Sequence, residues 1–231
     1  AIAPQAGRTD VVGAWLQHDY SGSLAVKIFF FLSGLVVTNS LLHKRNVLHF
    51  VIARFFRIWP ALACVVLVCA LLLGPWVSAL PASEYFAQAA TYHYIRDNLL
   101  LSTQYALPGV FQGNPLKESI NGSLWTLAHE VGAYLALLAL FIVGVLRRPW
   151  LAVVVGCVLA LDPLLGNRLL FTWRPPLSEV DLLAPCFAAG ALLALFKERI
   201  EVNIGTVLGR GVLYWLLRPA EDTRPAQNRC S

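Results

Sequence analysis

Apolar runs long enough to cross a membrane alternate with short basic or polar breaks along most of the chain. Residues 24–42 form the first run, and a helix of that length nearly covers a hydrocarbon core of about 30 Å at about 1.5 Å per residue. Lys27 lies near its start, where a long stem lets the ammonium reach the interface. His43-Lys44-Arg45 closes it, and Arg54-Phe55-Phe56-Arg57-Ile58-Trp59-Pro60 leads into a second run at 61–80. Pro60 is expected at the start of that second helix, where its missing N–H costs little. Residues 81–120 are mixed and tyrosine-rich, with an interfacial helix expected around 83–101. A third helix enters at 121–130, with Asn121 or Ser123 as its N-cap, and runs to Leu146 before Arg147-Arg148-Pro149. Shorter apolar stretches follow at 151–161, 182–196 and 204–217. The pattern predicts an all-α fold, a polytopic transmembrane helical bundle of about six spanning or partly spanning segments. Residues 1–23 read as an extracytoplasmic loop, 24–217 as a transmembrane domain with an outer loop at 81–120, and 218–231 as a disordered tail.

Composition agrees with this reading. The 231 residues are 58% hydrophobic and 13% charged, where a soluble domain carries about 25% charged residues. The formal charge of +5 could suggest a nucleic-acid partner, but the basic residues sit at the breaks between apolar runs, so no nucleic acid is expected. Lys44, Arg45, Arg54 and Arg57 fall on one side, joined two crossings later by Arg147 and Arg148 and then by Lys197 and Arg199. By the positive-inside rule these junctions are cytoplasmic and the 81–120 loop faces outward. Cys64, Cys69, Cys157, Cys186 and Cys230 show no CxxC or Cys/His cluster, so neither a disulfide framework nor a metal site is expected.

Two polar features stand out. Arg54 and Arg57 are three apart, so on a helix they share a face. That face fits positive-inside anchoring or an anion site, since guanidinium forks suit phosphates. The second feature is His129-Glu130, inside the third apolar helix. Helix neighbours point about 100° apart, so the two need not share a site, and His129 fits a structural hydrogen bond better than catalysis. A carboxylate at the centre of a membrane helix costs about 2.5–3.5 kcal/mol on an insertion scale, which weighs Glu130 toward function.

Three motifs in order carry a resemblance: Phe29-Phe30-Phe31-Leu32-Ser33-Gly34, then Arg54 through Pro60, then Ser123-Leu124-Trp125-Thr126-Leu127-Ala128-His129-Glu130. Over roughly residues 22–196 the chain resembles the acyltransferase family 3 membrane O-acyltransferases, with their FFxLSG helix, RRFxRIYP-like boundary and LWTLxxE helix. The resemblance makes 24–217 a partial acyltransferase-like domain. It implies an acyltransferase, transferring groups other than aminoacyl, in a bacterial-type inner membrane as a multi-pass protein. The acyl group, usually acetyl, passes from cytoplasmic acyl-CoA, a co-substrate, to a hydroxyl of an extracytoplasmic glycan or lipid-linked sugar. No bound cofactor is implied, and membrane lipid is the remaining partner.

Carried over by position, Arg54 and Arg57 would hold donor phosphates, and Phe29, Phe30, Ser33 and Gly34 would shape an acyl tunnel. Trp125 and Glu130 would line the reaction site, with Glu130 the catalytic residue that orients or proton-couples a base. Ala53 stands where the family has the first arginine of a pair, and Trp59 where it has tyrosine. The family's histidine lies on a helix before the FFxLSG helix, and Arg8 and His18 do not reproduce that motif. The chain is therefore expected to start after that helix, to be truncated at both ends, and to be inactive alone. The alternatives are a non-catalytic membrane remnant of the same family and a proton-coupled transporter. The latter predicts paired broken helices and an internal repeat, and the sequence shows neither.

Overall fold

The computed structural model describes residues 21–111, 120–161 and 182–198. Regular structure among the described residues is helical, without strands, apart from an isolated bridge between Ser78 and Val110. Helix α1 (Ser21–Lys44) is followed by α2 (Val47–Leu67), which continues through a π-helical turn (Val68–Leu73) into the short α3 (Gly74–Val77). Helices α4 (Ala82–Ala87) and α5 (Ala89–Leu99) come next, then α6 (Trp125–Val143), a 3-10 turn (Val145–Arg147), α7 (Pro149–Leu161) and α8 (Leu183–Phe196). Gly22–Lys44, Val47–Val77 and Trp125–Val143 are long and apolar enough to cross a membrane, and α7 and α8 are shorter apolar helices. Many large apolar side chains face outward, among them Phe56, Leu72 and Ile142, as lipid-facing positions require. The chain is a helical membrane protein.

Helices α1 and α2 form a hairpin joined by Arg45-Asn46. Arg45 turns the chain with a positive φ of 48°, and Asn46 caps α2 by accepting the His49 N–H at 3.0 Å. Lys44 Nζ meets His49 Nε2 at 2.8 Å across the turn. Lys44, Arg45, Arg147 and Arg148 mark the two breaks that define one end of the bundle, called here the basic end. The sequence places a break at Pro60. The structure instead carries one helical run of 31 residues, Val47–Val77, through that proline. A helix of that length is about 46 Å long and exceeds a hydrocarbon core of about 30 Å. Arg54 and Arg57 thus lie two to three turns inside α2.

The excess length of α2 carries a folded cap built from residues 78–111, where the sequence suggests a long loop around one interfacial helix. The stretch around 83–101 is helical, as the pair α4 and α5 rather than one helix. Leu62, Val66, Cys69 and Ala70 pack against Tyr85, Tyr94, Leu107, Val110 and Leu124. The π-helical turn follows from the sequence Gly74-Pro75. Gly74 N–H reaches back five residues to the Cys69 carbonyl, and Pro75 has no N–H for the next carbonyl in that register, Ala70. The Tyr85 hydroxyl takes its place, donating to Ala70 O at 2.8 Å. A Cβ at position 74 would overlap that hydroxyl, so glycine is required there. Thr91 Oγ1 in turn donates to Tyr85 O at 3.0 Å, and the Asn98 amide ties Tyr94 O, Gln104 O and Gln104 N together.

The other core joins α1, α6, α7 and α8 around Phe30, Val37, Leu41, Tyr134, Leu137, Leu146 and Phe187. Lipid supplies no hydrophobic drive between helices, so close backbone approach has to do that work. A Cβ on Gly34 would overlap the Phe187 carbonyl, and one on Gly190 would overlap the Phe31 carbonyl. The two glycines let α1 and α8 approach backbone to backbone, the packing role Gly34's size suggests. Helix α6 ends at Gly144, in the left-handed region at φ 86°, three residues short of the expected stop. Its N-terminus also differs: Leu124 occupies the cap position with no side-chain cap. Asn121 instead accepts from Ser123 N and Oγ at 3.1 and 2.7 Å, closing the turn before the helix. Residues 21–23, expected in a loop, are the first turn of α1. The rest of that loop, the 204–217 run and the 218–231 tail lie outside the described residues.

Three expectations follow. Gly190→Leu forces α1 from α8 and should cost about 1–3 kcal/mol, read as a lower unfolding temperature in detergent; Gly132→Ala, with open space at its Cβ, should leave it unchanged. Tyr85→Phe strands the buried Ala70 carbonyl, at about 1–3 kcal/mol, and should speed limited proteolysis within 78–111. Burial pushes the phenols of Tyr85 and Tyr94 up from their ordinary value. Folding therefore holds their protons more tightly than the unfolded chain does, and the cap keeps this stability below a pH of about 10. It loses it as pH rises further, so tyrosinate absorbance and cap proteolysis should increase together.

Candidate active site

Glu130 is buried, 5% exposed, in the second turn of α6. Four residues on, at the spacing that stacks two side chains on one helix face, Tyr134 donates its hydroxyl to Glu130 Oε1. A phenol has one proton to give. With that proton committed to Glu130, Ser33 Oγ–H is the donor in its 2.9 Å contact with the Tyr134 oxygen. The result is a directed chain from Ser33 on α1 through Tyr134 to the carboxylate, whose oxygens are the terminal acceptors.

Helix α2 brings its two arginines to the same place. Arg54 lies over the Tyr134 ring, Cζ 5.7 Å from the centroid, a cation–π placement that gains strength away from water. Its Nε is buried with no hydrogen-bond partner among the described residues. Arg57, one turn nearer the cap, lines a cavity of about 290 Å³ together with Glu130 and Phe29. Asn121, Ser123 and Leu124 line the same cavity, beside Ala61, Leu62 and Val65 of α2. No ion pair joins Arg57 to Glu130 among the described residues, so the guanidinium and the carboxylate are separate polar groups in one cavity. Phe50 meets the Tyr134 ring edge-on at 6.5 Å and Phe187 tilts against it at 6.2 Å. Three helices besides its own thereby fix that ring.

A second cavity, about 340 Å³, lies among α1, α6, α7 and α8. Phe30 and His129 line it with the small residues Gly132, Ala133, Ala136 and Gly156. His129 therefore lines a different cavity from Glu130, as the 100° step between helix neighbours allows. Trp125 packs edge-on against the His129 ring at 5.8 Å.

The residues singled out from the sequence thus separate into groups. Glu130, Arg57 and Phe29 share one cavity; Ser33 and Arg54 join Glu130 through Tyr134. Phe30 lines the second cavity, Trp125 packs on His129 beside it, and Gly34 contacts the backbone of α8. Tyr134 is absent from the sequence reading. Its signal was its position four residues after Glu130 in the same helix. Asn121 also escaped notice as a cavity residue, because it read as a helix cap.

A family model described as acyltransferase domain matches residues 3–218. An O-acetyl transferase of Shigella phage Sf6 is 29% identical over 116 residues, covering 50% of this chain and 33% of that protein. The chain thus aligns with only about a third of that relative. No solved structure matches significantly. With the family model spanning nearly all of a helical membrane chain, and the three motifs standing in their family order, the chain belongs to acyltransferase family 3.

Proposed function

We propose that the protein is a membrane O-acyltransferase that moves an acetyl group from acyl-CoA to a hydroxyl of a glycan or lipid-linked sugar. In this reading the donor reaches the site from the basic end, which is cytoplasmic, and the acceptor from the cap end, outside a bacterial-type inner membrane. The observation that carries it is the buried Glu130 carboxylate, which shares a cavity with Arg57 at one side and the polar Asn121-Gly122-Ser123 turn at the other.

The chemistry suits such a cavity. The acceptor oxygen attacks the thioester carbonyl, the C–O bond forms and the C–S bond breaks. The hydroxyl proton passes through a base to the departing thiolate, giving the free thiol of CoA. A carboxylate can take part in that transfer directly or by holding the base that does. The Arg57 guanidinium supplies fixed positive charge where the thioester oxygen turns negative or where donor phosphates bind, and exclusion of water strengthens either contact.

The test uses the complete reading frame in membrane vesicles, supplied with labelled acetyl-CoA and envelope glycan. Glu130→Gln, nearly the same shape without the charge, should lower kcat by about 10²–10⁴-fold. Arg57→Ala should raise KM for the donor by about tenfold or more, the loss of a charge-assisted contact. Transfer at the wild-type rate by the Gln variant would remove Glu130 from the reaction.

A further inference from the structure

The structure assigns Tyr134 as the positioning residue of this site: its phenol fixes the Glu130 carboxylate while its ring stations the Arg54 guanidinium. The kinetic consequences rest on the acyl-transfer reading above; the positioning itself does not.

The assignment follows from how completely the surroundings determine this one side chain. Its hydroxyl is bonded on both sides, giving to Glu130 and receiving from Ser33. Its ring is 3% exposed in total and is wedged between Phe50 of α2 and Phe187 of α8. Arg54 occupies the remaining approach, over the ring. A tyrosine held this way has no freedom to swing, so Glu130 Oε1 is aimed by α1, α2 and α8 together rather than by its own helix. Packing alone would be served equally well by phenylalanine. The hydroxyl is therefore the informative atom, and Ser33 completes its hydrogen bonding from the other side.

Three variants separate the parts. Tyr134→Phe keeps the ring, the Phe50 and Phe187 contacts and the seat for Arg54, and removes only the hydroxyl. Ser33→Ala removes the donor behind it. Tyr134→Leu removes the ring as well. The first readout needs no turnover: a hydrophobic carbodiimide, which reacts with carboxyl groups in membrane helices, is mapped to Glu130 by mass spectrometry of the complete protein. Tyr134→Phe frees the carboxyl from the hydroxyl that holds it and should raise Glu130 labelling by about tenfold, and Ser33→Ala should raise it less. The second readout is acetyl transfer. Tyr134→Phe should lower kcat by about tenfold with KM for acyl-CoA unchanged, while Tyr134→Leu should raise that KM as well. In a Glu130→Gln background, Tyr134→Phe should cost nothing further, because the two residues act as one unit.

Unchanged labelling of Glu130 in both Tyr134→Phe and Ser33→Ala overturns the assignment, whatever the activity. Fully additive losses in the double variant overturn it too, since a structural tyrosine would produce them. Absence of transfer by the wild-type protein would sink the acyl-transfer reading instead, and the labelling result would still decide the role of Tyr134.

Discussion

A carboxylate in an apolar helix is tolerable only if protein replaces the water it gives up. Glu130 obtains that replacement chiefly from one hydroxyl, and the requirement organises much of the helical bundle. To bring Tyr134 onto the same face, the two residues must be four apart on one helix. To hold the phenol in register, α1 must present Ser33 and α2 must present Arg54 and Phe50. For α8 to bring Phe187 against the ring, α1 and α8 must come closer than side chains with a Cβ allow, and Gly34 and Gly190 permit it. The FFxLSG sequence therefore serves two neighbouring needs with adjacent residues. Ser33 completes the polar chain, and Gly34 makes room for the helix that packs it.

The cap answers a different constraint at the other end of α2. A helix longer than the hydrocarbon core leaves a protruding end that must either be solvated or covered. Here the π-helical turn widens the last turns, and Pro75 leaves Ala70 without a backbone donor. Tyr85 pins the cap by supplying it. One exchange thus repairs a local defect and fixes a tertiary contact, and Gly74 is small for that reason. The consequence for function is positional. The cap core includes Leu62 and Leu124, and both also line the Glu130 cavity, so the wall of the site is continuous with the packing of the cap.

The bundle was largely legible from periodicity and composition, because helices in lipid must carry long apolar runs and basic breaks. Where the reading failed, tertiary context overrode a local rule. Pro60 looked like a helix start because an interior proline forfeits a hydrogen bond, yet α2 passes through it. Asn121 and Ser123 looked like caps because both types accept well from helix N–H groups. In the fold they bond to each other and tighten the turn ahead of α6 instead. At the site, Glu130, Arg54, Arg57 and the FFxLSG residues were visible through motif order. Tyr134 was not, since a tyrosine in an apolar helix is unremarkable until something shows which side chains surround it.

The arrangement also refines what two arginines three residues apart can do. A shared helix face suggested one joint role, anchoring or anion binding. The antiparallel fit of α2 against α6 divides them instead. Arg57 stands level with Glu130 in the cavity, and Arg54 stands level with Tyr134, bound through the ring face. Arg54 stands over an aromatic ring, and its Nε is buried without a hydrogen-bond partner among the described residues. A group brought to the site with phosphate or carbonyl oxygens would find Arg57 inside the cavity beside the carboxylate. Arg54 would act more by fixing the field around the Tyr134–Glu130 pair. The two positive charges then sit in different surroundings, although one helix turn is all that separates them.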